Sequence, residues 1–235
     1  MELRQTKAII TAMQEEADLI IKKFNLKEKK DEKIPKNIKI FEWERENYDE
    51  KTIDNIVLVL SGIWKIASTF ATTYLFENYK IDKLINIWIA GNLDNWDLRV
   101  GDVLLPNTFI QHDLYLPFEW EHLDYAKKPI FLDYAIWENY DFKKFGLLLN
   151  WVCLTWDQFI DDEEKVKKLR EEFSWDIVEM EAFAILSVAR AYWELDKCVV
   201  IKAVSDWADS EAKEAHMDNL EFAMQNSISV LELVI

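Results

Sequence analysis

Glycine is scarce in this chain. Four of 235 residues are glycine, about 1.7%, where globular proteins average roughly 7%. So few glycines leave no G-x-G-x-x-G dinucleotide turn. Cysteine is nearly absent as well. Cys153 and Cys198 lie in apolar runs without metal-ligand spacing, which excludes a disulfide framework and reads as two reduced thiols of a cytoplasmic protein. Neither a metal nor any other cofactor is expected. Lys and Arg number 28 against 44 Asp and Glu, a formal charge of −16. Nucleic-acid binding needs clustered cations on phosphates, so that class of partner is excluded. No apolar run is as long as the roughly 18 residues of a membrane span, and Met1-Glu2-Leu3-Arg4-Gln5 does not open a signal-peptide apolar segment. A membrane is not an expected partner.

Half of the residues are hydrophobic, enough to bury a full core at this length. Short apolar runs alternate with segments of helical spacing. Strands are expected at Lys7–Thr11, Asn37–Glu42, Asn55–Ser61, Lys83–Ala90, Val100–Ile110, Phe145–Thr155, Asp176–Met180 and Cys198–Val204. Helices are expected at Glu15–Phe24, Ile66–Tyr79, Glu163–Phe173, Glu181–Tyr192 and Ala212–Leu233. Asn25–Lys36 reads as a charged loop. Leu114–Glu138, with two prolines among aromatics, reads as a long irregular segment of the kind that covers a site. The pattern gives an α/β fold with a central mixed β-sheet flanked by helices, and one domain over residues 1–235.

The organising stretch is Ile177-Val178-Glu179-Met180-Glu181-Ala182, an apolar strand running into a helix with two carboxylates at the junction. Such junctions lie at the carboxyl ends of strands, where open α/β sheets bind ligands. Acidic residues also suit a helix start for purely structural reasons, so this stretch alone decides nothing. Beside it stand Ala12-Met13-Gln14-Glu15-Glu16, Thr155-Trp156-Asp157-Gln158-Phe159-Ile160 and Val204-Ser205-Asp206-Trp207-Ala208-Asp209. Ser61-Gly62-Ile63, Ala90-Gly91 and Val100-Gly101-Asp102-Val103 complete the set. In this order and spacing the motifs resemble the 5′-methylthioadenosine/S-adenosylhomocysteine nucleosidases, within the nucleoside phosphorylase superfamily. The resemblance runs from about Lys7 to the C-terminus.

The resemblance implies a phosphorylase/nucleosidase-like fold and hydrolysis of an N-glycosidic bond with release of adenine. Such a reaction needs a proton donor for the leaving base, an activator for water and a grip on the sugar, and carboxylates suit all three tasks. By resemblance Asp206 is the general acid, oriented by Ser205, and Glu16 activates the water. Glu181 holds the ribose hydroxyls, Met180 packs on the sugar, and Phe159 stacks on the purine beside the backbone of Ile160. Each has a plainer reading: Asp206 as a helix cap, Glu16 as a helix-start acid, Phe159 as core. Glu15 and Glu179 are expected to be solvated or structural, and His112-Asp113 structural or at a subunit interface. His122 and His216 form no triad with Ser or Cys.

Two positions depart from the family pattern. Ile89 stands where a serine is usual, and Lys202 where an arginine is usual, which keeps charge but loses a bidentate fork. A phosphorylase would capture phosphate with an arginine where this chain has Gly101, while Arg99 is expected to face solvent. Water is therefore favoured over phosphate as nucleophile. A phosphate-dependent purine nucleoside phosphorylase and a non-catalytic nucleoside-binding protein are the alternatives. The family also implies a homodimer.

Tryptophan is as abundant as glycine is rare, at eleven residues. Together the two make about 6.4% of the chain, close to the usual glycine share. Asn95-Trp96 would be a turn signal as Asn-Gly, and Trp193 stands where a helix-terminating glycine is expected. Trp43, Trp120, Trp137 and Trp175 lie in polar stretches that read as turns. Trp64, Trp88 and Trp156 fall where the resembling family has glycine. UGA is read as tryptophan in some bacterial codes and as glycine in others, so the expectation is that these codons specify glycine. Retained as tryptophan, Trp64, Trp88, Trp156 and Trp207 would set large rings against the site.

Overall fold

Strand β5 (Lys80–Asn92) is the hub, and every residue from Leu84 to Asn92 is buried. The computed structural model describes residues 5–43, 55–93, 97–118, 121–134, 148–149, 151–172 and 176–235. Strand β1 (Gln5–Thr11) lies parallel along one side of β5, and β12 (Cys198–Asp206) runs parallel along the other, with Cys198–Val204 opposite Leu84–Ala90. All nine residues of β12 are buried. Continuous apolar runs of this kind are what a strand covered on both faces requires.

Outward from β1 come β4 (Asn55–Leu60, parallel), β3 (Lys39–Glu42, antiparallel) and the short β2 (Lys27–Glu28). Past Gly91, β5 leaves β12. It pairs antiparallel with β11 (Ile177–Glu179) through Asn92 and Gly91, and the sheet continues through β10 (Val152–Thr155), β7 (Thr108–Gln111) and β8 (Ile130–Phe131). A second branch leaves β12 through β6 (Val103–Leu105) to β9 (Leu148–Leu149). The sheet therefore forks at Gly91.

Helices α1 (Gln14–Phe24) and α6 (Ala212–Val234) cover one face, burying Ala17, Ile20, Leu220, Ala223 and Met224 against Ile85, Ile87 and Ile201. Helices α2 (Lys65–Asn78) and α5 (Ala182–Ala191) cover the other through Ala71, Leu75, Phe183 and Leu186. Helix α3 (Asp124–Lys127) is one turn, and α4 (Glu163–Glu172) is acidic in its first turn. The expected α/β fold with a mixed central sheet is the observed one. Among the described residues no helix is long and apolar enough to cross a membrane.

Three expectations change. Val100–Ile110 is two strands on different branches, because Pro106 lacks the N–H that a continuous ladder would need. The segment from Asn25 to Lys36 holds edge strand β2. The strand expected at Phe145–Thr155 is β9 and β10 with a break at Trp151, while residues 145–147 lie outside the described residues.

Candidate active site

The carboxyl ends of β1, β4, β5, β10, β11 and β12 converge on one cleft of about 580 Å³, including its open mouth. Of the expected site residues, Asp206, Glu181, Met180, Phe159, Ile160 and Ile89 line it. Ser205, Glu16 and Lys202 are buried beside it and are not among the lining residues.

Asp206 is placed by a bulge. The register of β12 slips between Val204 and Asp206, opposite Ala90 and Gly91, and such slips re-aim side chains beside active sites. A side chain at Gly91 would put its first carbon 2.9 Å from Asp206 Oδ1, so glycine is what lets the acid lie against the sheet. Asp206 accepts hydrogen bonds from Ser205 Oγ at 2.7 Å and from the Ala208 N–H at 2.9 Å. His216 Nδ1 stands 3.6 Å from its Oδ2, and the His216 ring meets Phe159 edge-on at 5.5 Å.

Glu16 opens α1 yet is fully buried. Its Oε2 accepts from Thr11 Oγ1 at 2.9 Å and from the Met13 N–H at 3.1 Å, while its Oε1 has no partner among the described residues. Burial pushes its carboxyl above the usual range, against the pull of those two donors. Glu181, also fully buried, accepts the N–H of Trp64 at 2.9 Å and of Met180 at 3.2 Å. Burial first, then the neighbouring Glu179, hold it well above the carboxylate range.

Glu179 is the residue that sequence reasoning undervalued. It is structural, as one half of the expectation had it, but not solvated, at 6% exposure. Its Oε2 accepts the N–H groups of Glu181 and Ala182 at 3.1 and 2.8 Å and the ammonium of Lys202 at 2.8 Å. It thus satisfies the free N–H groups at the start of α5, where negative charge is favoured. Thr155 ties the junction to β10 by donating to Glu179 and accepting the Phe183 N–H. Lys202 lies wholly buried with its ammonium 5.4 Å from the Trp88 ring centre.

The loop carrying Phe159 is clamped from outside. Lys65 Nζ sits 2.6 Å from Asp113 Oδ1, Asp113 accepts the Asp157 N–H, and Asp157 accepts the Lys65 N–H. Asp113 is therefore structural. His112 packs edge-on against Trp156 at 4.2 Å, and burial lowers its pKa to about 4. Of the four tryptophans expected to crowd the site, only Trp88 is among the lining residues. Trp64 is half-exposed and Trp156 packs on His112, while the partly buried Trp207 lies one residue past the end of β12. Arg99 is exposed, with its N–H on Asp102. The side chain of His122 lies outside the described residues.

The sequence profile of the Phosphorylase superfamily matches residues 6–144 and 147–235. The 5′-methylthioadenosine/S-adenosylhomocysteine nucleosidase of Bacillus subtilis is 32% identical over 191 residues, 77% of this chain and 79% of that protein. The aminodeoxyfutalosine nucleosidase of Helicobacter pylori is 28% identical over 97% of this chain and 96% of its own. Among solved structures, the nucleosidase of Neisseria meningitidis in complex with methylthio-immucillin-A superimposes with a TM-score of 0.81 at 26% identity, covering 99% of this chain and 98% of that one. Fold, cleft and relatives together define a glycosidic-bond hydrolase of the nucleosidase type. The chain belongs to the phosphorylase superfamily and, within it, to the family of the 5′-methylthioadenosine/S-adenosylhomocysteine nucleosidases.

Proposed function

We propose that the chain releases adenine from a 5′-substituted adenosine of the methylthioadenosine or S-adenosylhomocysteine type, with water as nucleophile. The observation that carries this reading is Glu16: a fully buried carboxylate with one oxygen held by two donors and the other without a partner among the described residues. A buried oxygen with open lone pairs is what an attacking water needs in order to give up its proton. Asp206, in the wall where the purine would stack on Phe159, donates a proton to the base as the C1′–N9 bond breaks and its electrons pass to the ring. Positive charge grows on the ribose, whose hydroxyls Glu181 grips, and Met180 packs beside it. The water forms the new C1′–O bond and leaves its proton on Glu16.

Water fits this cleft better than phosphate. Gly101 adopts φ +92°, a conformation that disfavours any arginine in its place. Arg99 is exposed, and buried Lys202 is committed to Glu179. The same reading places the protein in the cytoplasm, in the salvage of the methylthio group towards methionine. It also makes it a homodimer, with Ile63 and Phe159, exposed at the cleft, offering apolar surface to a second subunit.

The test is adenine release from methylthioadenosine, S-adenosylhomocysteine and aminodeoxyfutalosine, with and without phosphate. It is run with tryptophan and with glycine at the eleven tryptophan positions. Release at a rate indifferent to phosphate is expected from one of the first two. Preference for the third would move the substrate assignment, and a strict phosphate requirement would replace hydrolysis by phosphorolysis. Folded protein releasing adenine from none of them would overturn the reading.

The pH profile has a definite sign. Glu16 works as a base only when ionised, and burial raises its pKa from 4.5. The acid limb of kcat/KM is therefore expected to have its midpoint above 4.5, activity falling as pH drops through the raised value. A limb at or below 4.5 would remove Glu16 from the base role.

A further inference from the structure

We infer that residues 64 and 193, and with them the other tryptophans of this chain, are glycine in the protein as its own cell makes it. The backbone at these two positions carries the inference, and it is independent of the reaction. Trp64 adopts φ 87° and ψ 161°. That lies outside the left-handed helical region and inside the one occupied essentially by glycine alone. The chain's own Gly62 and Gly101 adopt nearly the same φ, +86° and +92°.

Nothing around Trp64 lets the backbone relax. Its N–H is held by Glu181 Oε1 at 2.9 Å, and its carbonyl accepts both the N–H and the Oγ of Ser68 at 3.1 and 3.0 Å. Position 64 is thus where the loop after β4 turns to begin α2 while presenting an amide to a buried site carboxylate. A residue without a side chain makes that turn freely. The indole is half-exposed and offers little burial to offset the strain.

Trp193 closes α5. Its φ is 61°, its N–H donates to Arg190 O at 3.1 Å, and the Glu194 N–H donates back to Ala189 O at 2.9 Å. This pair of bonds ends a helix through one left-handed residue, and glycine is the residue that fits. The ring is 92% exposed. Apart from these two, the described non-glycine residues at positive φ are Asn25, a side chain that tolerates it, and Ala208.

One further tryptophan fits poorly. Trp151 buries its Nε1–H with no acceptor among the described residues, a group that indoles normally pair when buried. Trp88 sets its ring in the cleft wall beside Lys202. The two residue types are linked by one codon, UGA, and the composition closes, since tryptophan and glycine together reach the usual glycine share. Glycine at 88 would open the cleft on the β5 side. Trp96, Trp120, Trp137 and Trp175 lie outside the described residues.

The decisive experiment is peptide mass spectrometry of the protein isolated from its native cells, read with the codons of its gene. Glycine masses at 64 and 193 over UGA codons are expected. A tryptophan mass at either position, or a UGG codon there, would overturn the inference. A second measurement needs no native material. In purified protein, Trp64→Gly and Trp193→Gly are each expected to raise Tm by about 3–8 °C, as the backbone strain disappears. Trp43→Gly, which relieves no positive φ, is expected not to. An unchanged or lower Tm for both of the first two would remove the strain on which the inference stands. Neither measurement uses activity, so the outcome is separable from that of the nucleosidase proposal.

Discussion

Asp206→Asn is expected to lower the rate of adenine release roughly 10²–10⁴-fold, the usual weight of a positioned proton donor, while the protein stays folded. Asparagine has the same shape. Its carbonyl can keep the Ala208 N–H, and its amide can face the hydroxyl of Ser205, which then accepts instead of donating. What it cannot do is deliver a proton to a departing purine. The loss should therefore fall on kcat, with substrate affinity little changed, and the two are separated by steady-state rates beside equilibrium binding. Tm should move only slightly, because no buried group is left unpaired. A fall in kcat of less than tenfold would take the acid role from Asp206 and leave it as the cap of the turn at Ala208.

Lys202→Met acts on the opposite balance, since it is expected to damage the fold before the chemistry. Lys202 is the buried cation facing Glu179, and its charge also reaches Glu16 and Glu181. Methionine matches its length but leaves the buried Glu179 at the start of α5 without its cation, on two amides and the Thr155 hydroxyl. Removing one partner of a buried pair costs about 3–5 kcal/mol, which in a domain of this size lowers Tm by about 6–20 °C. Adding Glu179→Gln removes the stranded charge, and the double variant should recover most of that loss. Denaturant melts of the four proteins in the cycle read the coupling directly. Loss in the double variant equal to the sum of the single losses would mean that the pair does not interact in solution.

The strands that the sequence disclosed best were those buried on both faces. Lys83–Ala90 and Cys198–Val204 read as strands, from runs that are apolar between their ends but for Asn86 and Lys202. The candidate site residues were legible through the family resemblance of the motifs at the ends of those strands, since a carboxylate there also suits a helix start or a cap. Cross-chain partnerships were not legible. Glu179 pairs with a lysine 23 residues away, Lys65 with Asp113 48 away, and Asp157 with an amide 92 away. Periodicity says which face a residue takes, not which residue of another element lies opposite. A signal for Glu179 did exist: it ends a strand covered on both faces, where a carboxylate has no route to water. Pro106 likewise marked the break in Val100–Ile110, although the apolar run across it concealed the change of branch.

The burial of β12 along its whole length has a consequence for how the enzyme fails. Asp206 sits at the end of a strand whose backbone lies in the most protected part of the molecule, the region whose amides exchange with solvent only on global opening. The Phe159 loop is held from outside by a lysine–aspartate clamp, and the turn at residue 64 by its amide on Glu181 and two Ser68 bonds to its carbonyl. Mild denaturant or heat is therefore expected to release the Phe159 loop and loosen Glu181 while Asp206 is still in place. Inactivation is then expected to begin as the loss of two flaps around an intact post, and to reverse for as long as β5 and β12 stay zipped; recovery of activity after a brief mild heat step is the measurement that checks it.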